Sequence, residues 1–155
     1  MAKEEHRTIK AEIAVPYTMA VGPVWTRFFE GLKEERIWGT KCKRCSRILV
    51  PARPFCSRCF EDMEEWVEVS QEGTIVTWCY VNYKYYGLTR KIPYITCAVR
   101  LDGSDCAMRH LIGGIDMSDI DKVTKRVRVG GRVKAVWRKE KRGDMEDIEY
   151  FKPVE

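Results

Sequence analysis

The sequence predicts a mainly β protein: an N-terminal helix, a rubredoxin-like four-cysteine zinc ribbon, and a C-terminal five-stranded barrel of the OB-fold type. Three observations carry this prediction. An aromatic stripe at helical spacing follows Gly22-Pro23. Two C-x-x-C pairs stand close together between residues 42 and 59. Five short runs of period two, with one small helical stretch between the third and fourth, fill the chain from Gly73 to Phe151. The expected boundaries are 1–36 for an arm and docking helix, 37–70 for the ribbon and 71–155 for the barrel.

Residues 1–22 show no clear period and read as an arm that packs on a partner or stays mobile. Gly22-Pro23 then opens a helix, because proline is tolerated in a first helical turn. Trp25, Phe28, Phe29, Leu32 and Arg36 fall on one face of it. Gly31 interrupts this helix at a cost of about 1 kcal/mol against alanine. The stripe either packs on its own domain or, through Trp25, Phe28, Phe29 and Leu32, docks another subunit, since aromatic residues are enriched at interface cores.

The barrel strands follow in order. Ile75 to Tyr83 alternates with apolar residues on both faces, as in a long strand buried on two sides. Tyr94 to Leu101 alternates as a half-buried strand and ends at Asp102-Gly103. Cys106 to Ile112 is a third strand, closed by Gly113-Gly114. Asp116 to Lys125 is a short turn or helix, Arg132 to Arg138 a fourth strand and Ile148 to Phe151 a fifth. The order in which the strands pair is not readable from these runs.

Composition narrows the class. The 155 residues are 45% hydrophobic and 33% charged, enough apolar material for a core and too much for wholesale disorder. No run of roughly 18 apolar residues exists, so no helical membrane span is expected. The start, Met-Ala-Lys-Glu-Glu-His, is charged where a signal peptide is apolar, and a cytoplasmic location is expected. Seven cysteines in a reducing compartment read as metal ligands or core thiols rather than disulfides.

The specific signal is Cys42-x-x-Cys45, ten residues, then Cys56-x-x-Cys59. Two such knuckles present four thiolates to one tetrahedral ion, with Ile48-Leu49-Val50 as a strand between them. Structural zinc is expected; a rubredoxin-type iron uses the same ligands, and a redox dithiol needs only one pair. A site closed by four thiolates leaves no coordination position for a substrate, so its role is folding. Cys79, Cys97 and Cys106 fall within expected strands and read as core thiols. Only His6 and His110 could act as a base to a cysteine, and Cys106 and His110 stand about 13 Å apart along one strand. No catalytic set is read from the sequence, and no phosphate loop or dinucleotide fingerprint is present.

Charge is unevenly placed. The net charge is +5, but Lys41 to Arg58 holds six basic residues and no acid, and Lys122 to Arg142 holds ten basic residues and one acid. Such stretches face phosphates or form a solvated surface. Between the first two barrel strands, Asn82 to Pro93 interleaves Tyr83, Tyr85 and Tyr86 with Lys84, Arg90 and Lys91. In an OB-fold this is a ligand-binding loop, where tyrosines stack on bases; the plainer reading is a cover for the barrel mouth.

The order of parts resembles the zinc-ribbon and OB-fold proteins of acyl-CoA metabolism, formerly a domain of unknown function. The matching residues are Phe29-Glu30-Gly31-Leu32, Cys42-x-x-Cys45, Pro51-Ala52-Arg53, Cys56-x-x-Cys59, Gly73-Thr74-Ile75, Pro93-Tyr94, Leu101-Asp102-Gly103 and Val129-Gly130-Gly131-Arg132-Val133. Ser46 and Ser57 depart from the glycine and proline frequent there, and neither is a ligand. The resemblance implies a non-catalytic subunit of a hetero-oligomer. The partner would be a thiolase-like catalytic subunit, and a CoA thioester the ligand of the complex. Within the family the chain resembles subunits whose partner cleaves benzoylsuccinyl-CoA in anaerobic toluene degradation. Arg126 and Arg128, in a basic elaboration before the Val-Gly-Gly turn, are the expected contacts for CoA phosphates. The competing expectation is a single-stranded nucleic-acid-binding module, which a net charge of only +5 weighs against.

Overall fold

The computed structural model describes residues 17–154, so most of the expected arm lies outside the described residues. Helix α1 spans Gly22–Lys33, with Pro23 in its first turn. Strands β1 (Ile37–Lys41), β2 (Ile48–Leu49) and β3 (Glu65–Val69) form an antiparallel sheet in the order β2-β1-β3. Strands β4 (Glu72–Val81), β5 (Tyr94–Leu101), β6 (Met108–Ile112), β7 (Arg132–Trp137) and β8 (Ile148–Pro153) close a barrel in the order β4-β5-β6-β8-β7. Helix α2 (Ile120–Arg126) lies between β6 and β7. The chain is therefore mainly β, with the helix, ribbon and five-stranded OB-fold that the sequence predicts. One parallel pairing, β6 with β8, gives the barrel its strand order. No turn signal in the sequence encodes that long-range contact.

The first barrel strand differs from its expected burial. Register slips between Ile75 and Thr77, where β4 carries an irregularity opposite β5. Ile75 is buried before the slip, but Val76 and Thr77 are exposed, and the far half of the strand is only partly covered. A bulge turns a strand and breaks its alternation, so apolar residues on both faces did not mean burial on both. Cys106 also lies outside its expected strand, in the turn before β6.

One hydrophobic core joins the parts. It runs from Phe28 and Leu32 of α1, through Ile37, Val50, Ala52 and Val69 of the ribbon, to Ile75, Val99, Met108 and Phe151 of the barrel. The helix stripe is thus spent partly inside the chain: Phe28 and Leu32 are fully buried, while Trp25 and Phe29 are half-buried. Arginines add a clamp on the ribbon. The Arg27 guanidinium lies 4.3 Å from the Trp66 ring and that of Arg36 4.4 Å from the Trp38 ring. Arg36 also donates through Nε and Nη2 to Glu68.

Gly31 is explained by this packing. It is buried, and a Cβ there would collide with Cδ1 and Nε1 of the Trp38 indole. Closer approach of the helix to the ribbon compensates for the helical cost of glycine. Replacing Gly31 by alanine should therefore lower stability despite the better helix former, by about 1–3 kcal/mol as overpacking usually does. Thermal denaturation checks this; a raised melting temperature would show that Trp38 yields freely.

Candidate metal centre

The two cysteine pairs fold into two knuckles built alike. At the end of β1, Cys42 N–H donates to the Arg47 carbonyl and Ser46 N–H to the Cys42 carbonyl. In the second knuckle, Cys56 N–H donates to the Glu61 carbonyl and Phe60 N–H to the Cys56 carbonyl. Ser46 and Phe60 each follow the second cysteine of a pair, and both take a left-handed backbone, at φ 59° and 57°. That conformation favours glycine, and here a serine and a phenylalanine hold it. An isolated bridge between Phe55 and Asp62 closes the second knuckle.

The four sulfur atoms of Cys42, Cys45, Cys56 and Cys59 lie within 4.8 Å of one another. Bonds of roughly 2.3 Å to a tetrahedral zinc put sulfurs roughly 3.8 Å apart, and Cys45 Sγ stands 3.7 Å from Cys56 Sγ. Cys42 and Cys56 are buried beside Leu49 and Met63, and Cys45 and Cys59 face outward in part. An all-sulfur tetrahedral set suits zinc and leaves it closed. The ionisation of the set points the same way. Backbone N–H groups of Arg58 and then Cys59 aim at the Cys56 sulfur and lower its pKa to about 7. The Cys45 sulfur and then burial push Cys59 up to about 12. A divalent cation supplies the charge compensation that four gathered thiolates need.

The basic residues around the ribbon are mostly spoken for. Lys41 pairs with Glu65 at 3.0 Å, Lys43 with Glu64 at 2.8 Å and Arg44 with Glu61 at 3.8 Å. The lopsided stretch in the sequence is thus balanced by acids brought alongside from just beyond it. The second basic stretch is likewise drawn down. Lys122 pairs with Asp116, Arg132 with Asp102, Lys134 with Glu72, Arg138 with Glu146 and Lys141 with Glu35. Arg126 closes α2 and Arg128 follows in the turn before β7, and both are exposed.

Of the remaining cysteines, Cys97 is the core thiol that the sequence predicts, whereas Cys79 and Cys106 depart from that reading. Cys79 is exposed. Cys97 is buried and lies opposite His110 in the β5–β6 register, a cross-strand pair that the spacing of Cys106 and His110 did not disclose. Its thiol faces the His110 carbonyl at 3.5 Å, and burial pushes its pKa up to about 12. It is a protonated core thiol, without the low pKa that an activated nucleophile needs. Cys106 has a joining role. Its Sγ accepts from Val50 N–H at 3.1 Å and donates to the Val50 carbonyl at 3.2 Å. One residue earlier, Asp105 N–H donates to the Ile48 carbonyl, and Asp105 Oδ2 accepts from Ile48 N–H. Asp105 and Cys106 therefore stitch β2 of the ribbon to the barrel.

Residues 29–64 match the family described as the ChsH2 rubredoxin-like zinc ribbon domain. Residues 66–138 match the ChsH2 C-terminal OB-fold domain. Ribbon and barrel thus define a structural-zinc protein of the zinc-ribbon/OB-fold class. By both domains, in sequence and almost without a gap, the chain belongs to the ChsH2 family. Two solved structures share the fold. One is a protein of unknown function of the DUF35 family from Sulfolobus solfataricus, 24% identical, covering 85% of this chain and 84% of that one, with a TM-score of 0.60. The other is described as an Ltp2-ChsH2(DUF35) aldolase, 20% identical, covering 88% of this chain and 98% of that one, with a TM-score of 0.63. Comparison with curated proteins finds no match.

The metal assignment makes a sharp expectation. Elemental analysis of purified protein should find one zinc per chain. Cys45→Ser should lose it and lower the soluble yield, whereas Cys97→Ser, which changes a thiol far from the knuckles, should keep it. Full metal content in Cys45→Ser would refute the four-thiolate site.

Proposed function

We propose that this chain is the non-catalytic subunit of a cytoplasmic complex with a thiolase-like partner, which cleaves a C–C bond of an acyl-CoA. The observation that carries the reading is the pair of adjoining ChsH2-type matches, ribbon then barrel. It is supported by the shared fold with a chain solved as an Ltp2-ChsH2(DUF35) aldolase. The state of the cysteines agrees with it. Four of the seven are gathered in the metal set, Cys97 is buried with its pKa raised, Cys106 is held between the amide and carbonyl of Val50, and Cys79 is exposed on β4. The partner would supply the nucleophile and base for thiolysis. This chain would supply a rigid surface and positive charge near the CoA.

The docking surface proposed is the exposed edge of α1 with the adjoining second knuckle. Phe28 and Leu32 are committed to the internal core, which leaves Trp25 and Phe29 for the partner. Phe55 is 50% exposed and Phe60 is 82% exposed on the second knuckle. Between them, Trp25, Val50, Arg53 and Phe55 border an apolar cleft of about 520 Å³, with Arg53 5.8 Å from the Trp25 ring. Aromatic residues beside an arginine are the composition of interface centres. Arg126 and Arg128 are proposed to meet the CoA phosphates, and benzoylsuccinyl-CoA is proposed as the substrate class.

The test is co-expression with the thiolase-like subunit. The two should co-purify, and activity on a β-ketoacyl-CoA should belong to the complex and not to this chain alone. In the complex, replacing both Arg126 and Arg128 by alanine should raise KM for the CoA thioester and change kcat less, the signature of lost ground-state binding. Turnover by the isolated chain would contradict the accessory role, and an unchanged KM would reject these two arginines.

A further inference from the structure

The metal centre has an inner and an outer half. Cys42 and Cys56 are buried and packed with Leu49 and Met63. Cys45 and Cys59, one from each knuckle, are half-buried. These two line a surface hollow of about 500 Å³ together with Arg44, Arg58 and Phe60. Of the four ligands, only the outer two border solvent.

Each outer cysteine directly follows an arginine. The knuckles read Cys42-Lys-Arg44-Cys45 and Cys56-Ser-Arg58-Cys59. Both arginines are exposed. Arg44 approaches Glu61 only at 3.8 Å, and no carboxylate among the described residues forms an ion pair with Arg58. The hollow therefore sets two thiolates beside two guanidinium groups, one of them uncommitted. A guanidinium there can donate to an oxygen that gains charge next to the sulfur.

A metal ligand is a thiolate, the form of cysteine that attacks electrophiles. Oxidation follows thiolate character and exposure, and it becomes reversible where a second thiol stands close enough to resolve the first product. Among the described cysteines the outer pair meets all three conditions, with the four sulfurs within 4.8 Å of one another. The others each lack one. Cys97 is buried with its pKa raised, and Cys106 is held between the amide and carbonyl of Val50. Cys79 is exposed, but it lies opposite Thr96 rather than a thiol.

We propose that Cys45 and Cys59 are an oxidation site for hydroperoxides, and that joining them as a disulfide opens the metal centre. The Cys59 sulfur attacks one peroxide oxygen. The S–O bond forms as the O–O bond breaks, giving a sulfenic acid and hydroxide, with Arg58 donating to the departing oxygen. The Cys45 sulfur then attacks the Cys59 sulfur. The S–S bond forms, the S–O bond breaks and a second hydroxide departs. Each hydroxide takes a proton from solvent. Two thiolates are thereby oxidised to one disulfide, and hydrogen peroxide is reduced to two waters. Cys42 and Cys56 alone do not complete a tetrahedral set, so the knuckles lose the ligation that holds them together. The assignment rests on the metal centre and needs neither a partner subunit nor an acyl-CoA.

Hydrogen peroxide added to the zinc-loaded whole chain tests this. A chromogenic chelator should report release of the zinc, and mass spectrometry of the alkylated, digested protein should find Cys45 joined to Cys59. Dithiothreitol with added zinc should reverse both changes. Arg58 is not a ligand, so Arg58→Ala should still load with zinc. Its release by peroxide should be slower by about tenfold, the loss expected for a charge-assisted hydrogen bond at the reacting atoms. Cys79→Ser should release zinc at the wild-type rate. Zinc retained while peroxide oxidises Cys79 would overturn the proposal. So would a disulfide within either C-x-x-C pair, or release at the wild-type rate in Arg58→Ala. None of these outcomes bears on co-purification with a thiolase-like subunit, so the two readings fail separately.

Discussion

The gathering of four thiolates around one ion is the constraint on which the rest depends. The ribbon sheet has five-residue strands at β1 and β3 and a two-residue β2. Strands so short cannot bury enough apolar surface to hold the two knuckles together. Metal ligation supplies what the core cannot, on the order of 10–16 kcal/mol of apparent binding free energy in small zinc peptides. Once the knuckles are held, Ile48 and Val50 are fixed in position to meet Asp105 and Cys106. The barrel then shares its core with the ribbon and with α1. Loss of the ion should therefore loosen the helix and the ribbon face together.

This coupling shapes what the protein can offer a partner. Helix α1 and the residues just beyond it touch both halves: Arg27 of the helix and Arg36 beyond it stack on ribbon tryptophans, and Glu35 pairs with Lys141 of the β7–β8 connection at 2.8 Å. Asp147, fully buried, accepts N–H bonds from Arg142 and Gly143 and shapes that same connection. Trp25 and Phe29 stand on α1, and Phe55 and Phe60 on the second knuckle. A pre-ordered surface loses little entropy when it docks.

Much of this was legible in the sequence because the signals are local. Two C-x-x-C pairs specify two knuckles whatever lies around them, and period-two runs such as Ile95, Cys97, Val99 and Leu101 report a half-buried strand directly. What was hidden is long-range. The pairing of β6 with β8, the bulge after Ile75 and the opposition of Cys97 to His110 all depend on residues far apart in the chain. The basic stretches misled for the same reason: Glu61, Glu64 and Glu65 neutralise Lys41, Lys43 and Arg44 only after β1 and β3 align.

The central claim is that this chain is a zinc-held structural subunit whose chemistry lies in a partner. Native mass spectrometry of material co-expressed with a thiolase-like subunit tests that most directly. The account predicts a hetero-oligomer in which every copy of this chain carries one zinc, and in which chelation releases the zinc and this chain together. Observation of this chain only as itself or its own oligomer, or of an intact hetero-oligomer after complete zinc removal, would contradict it.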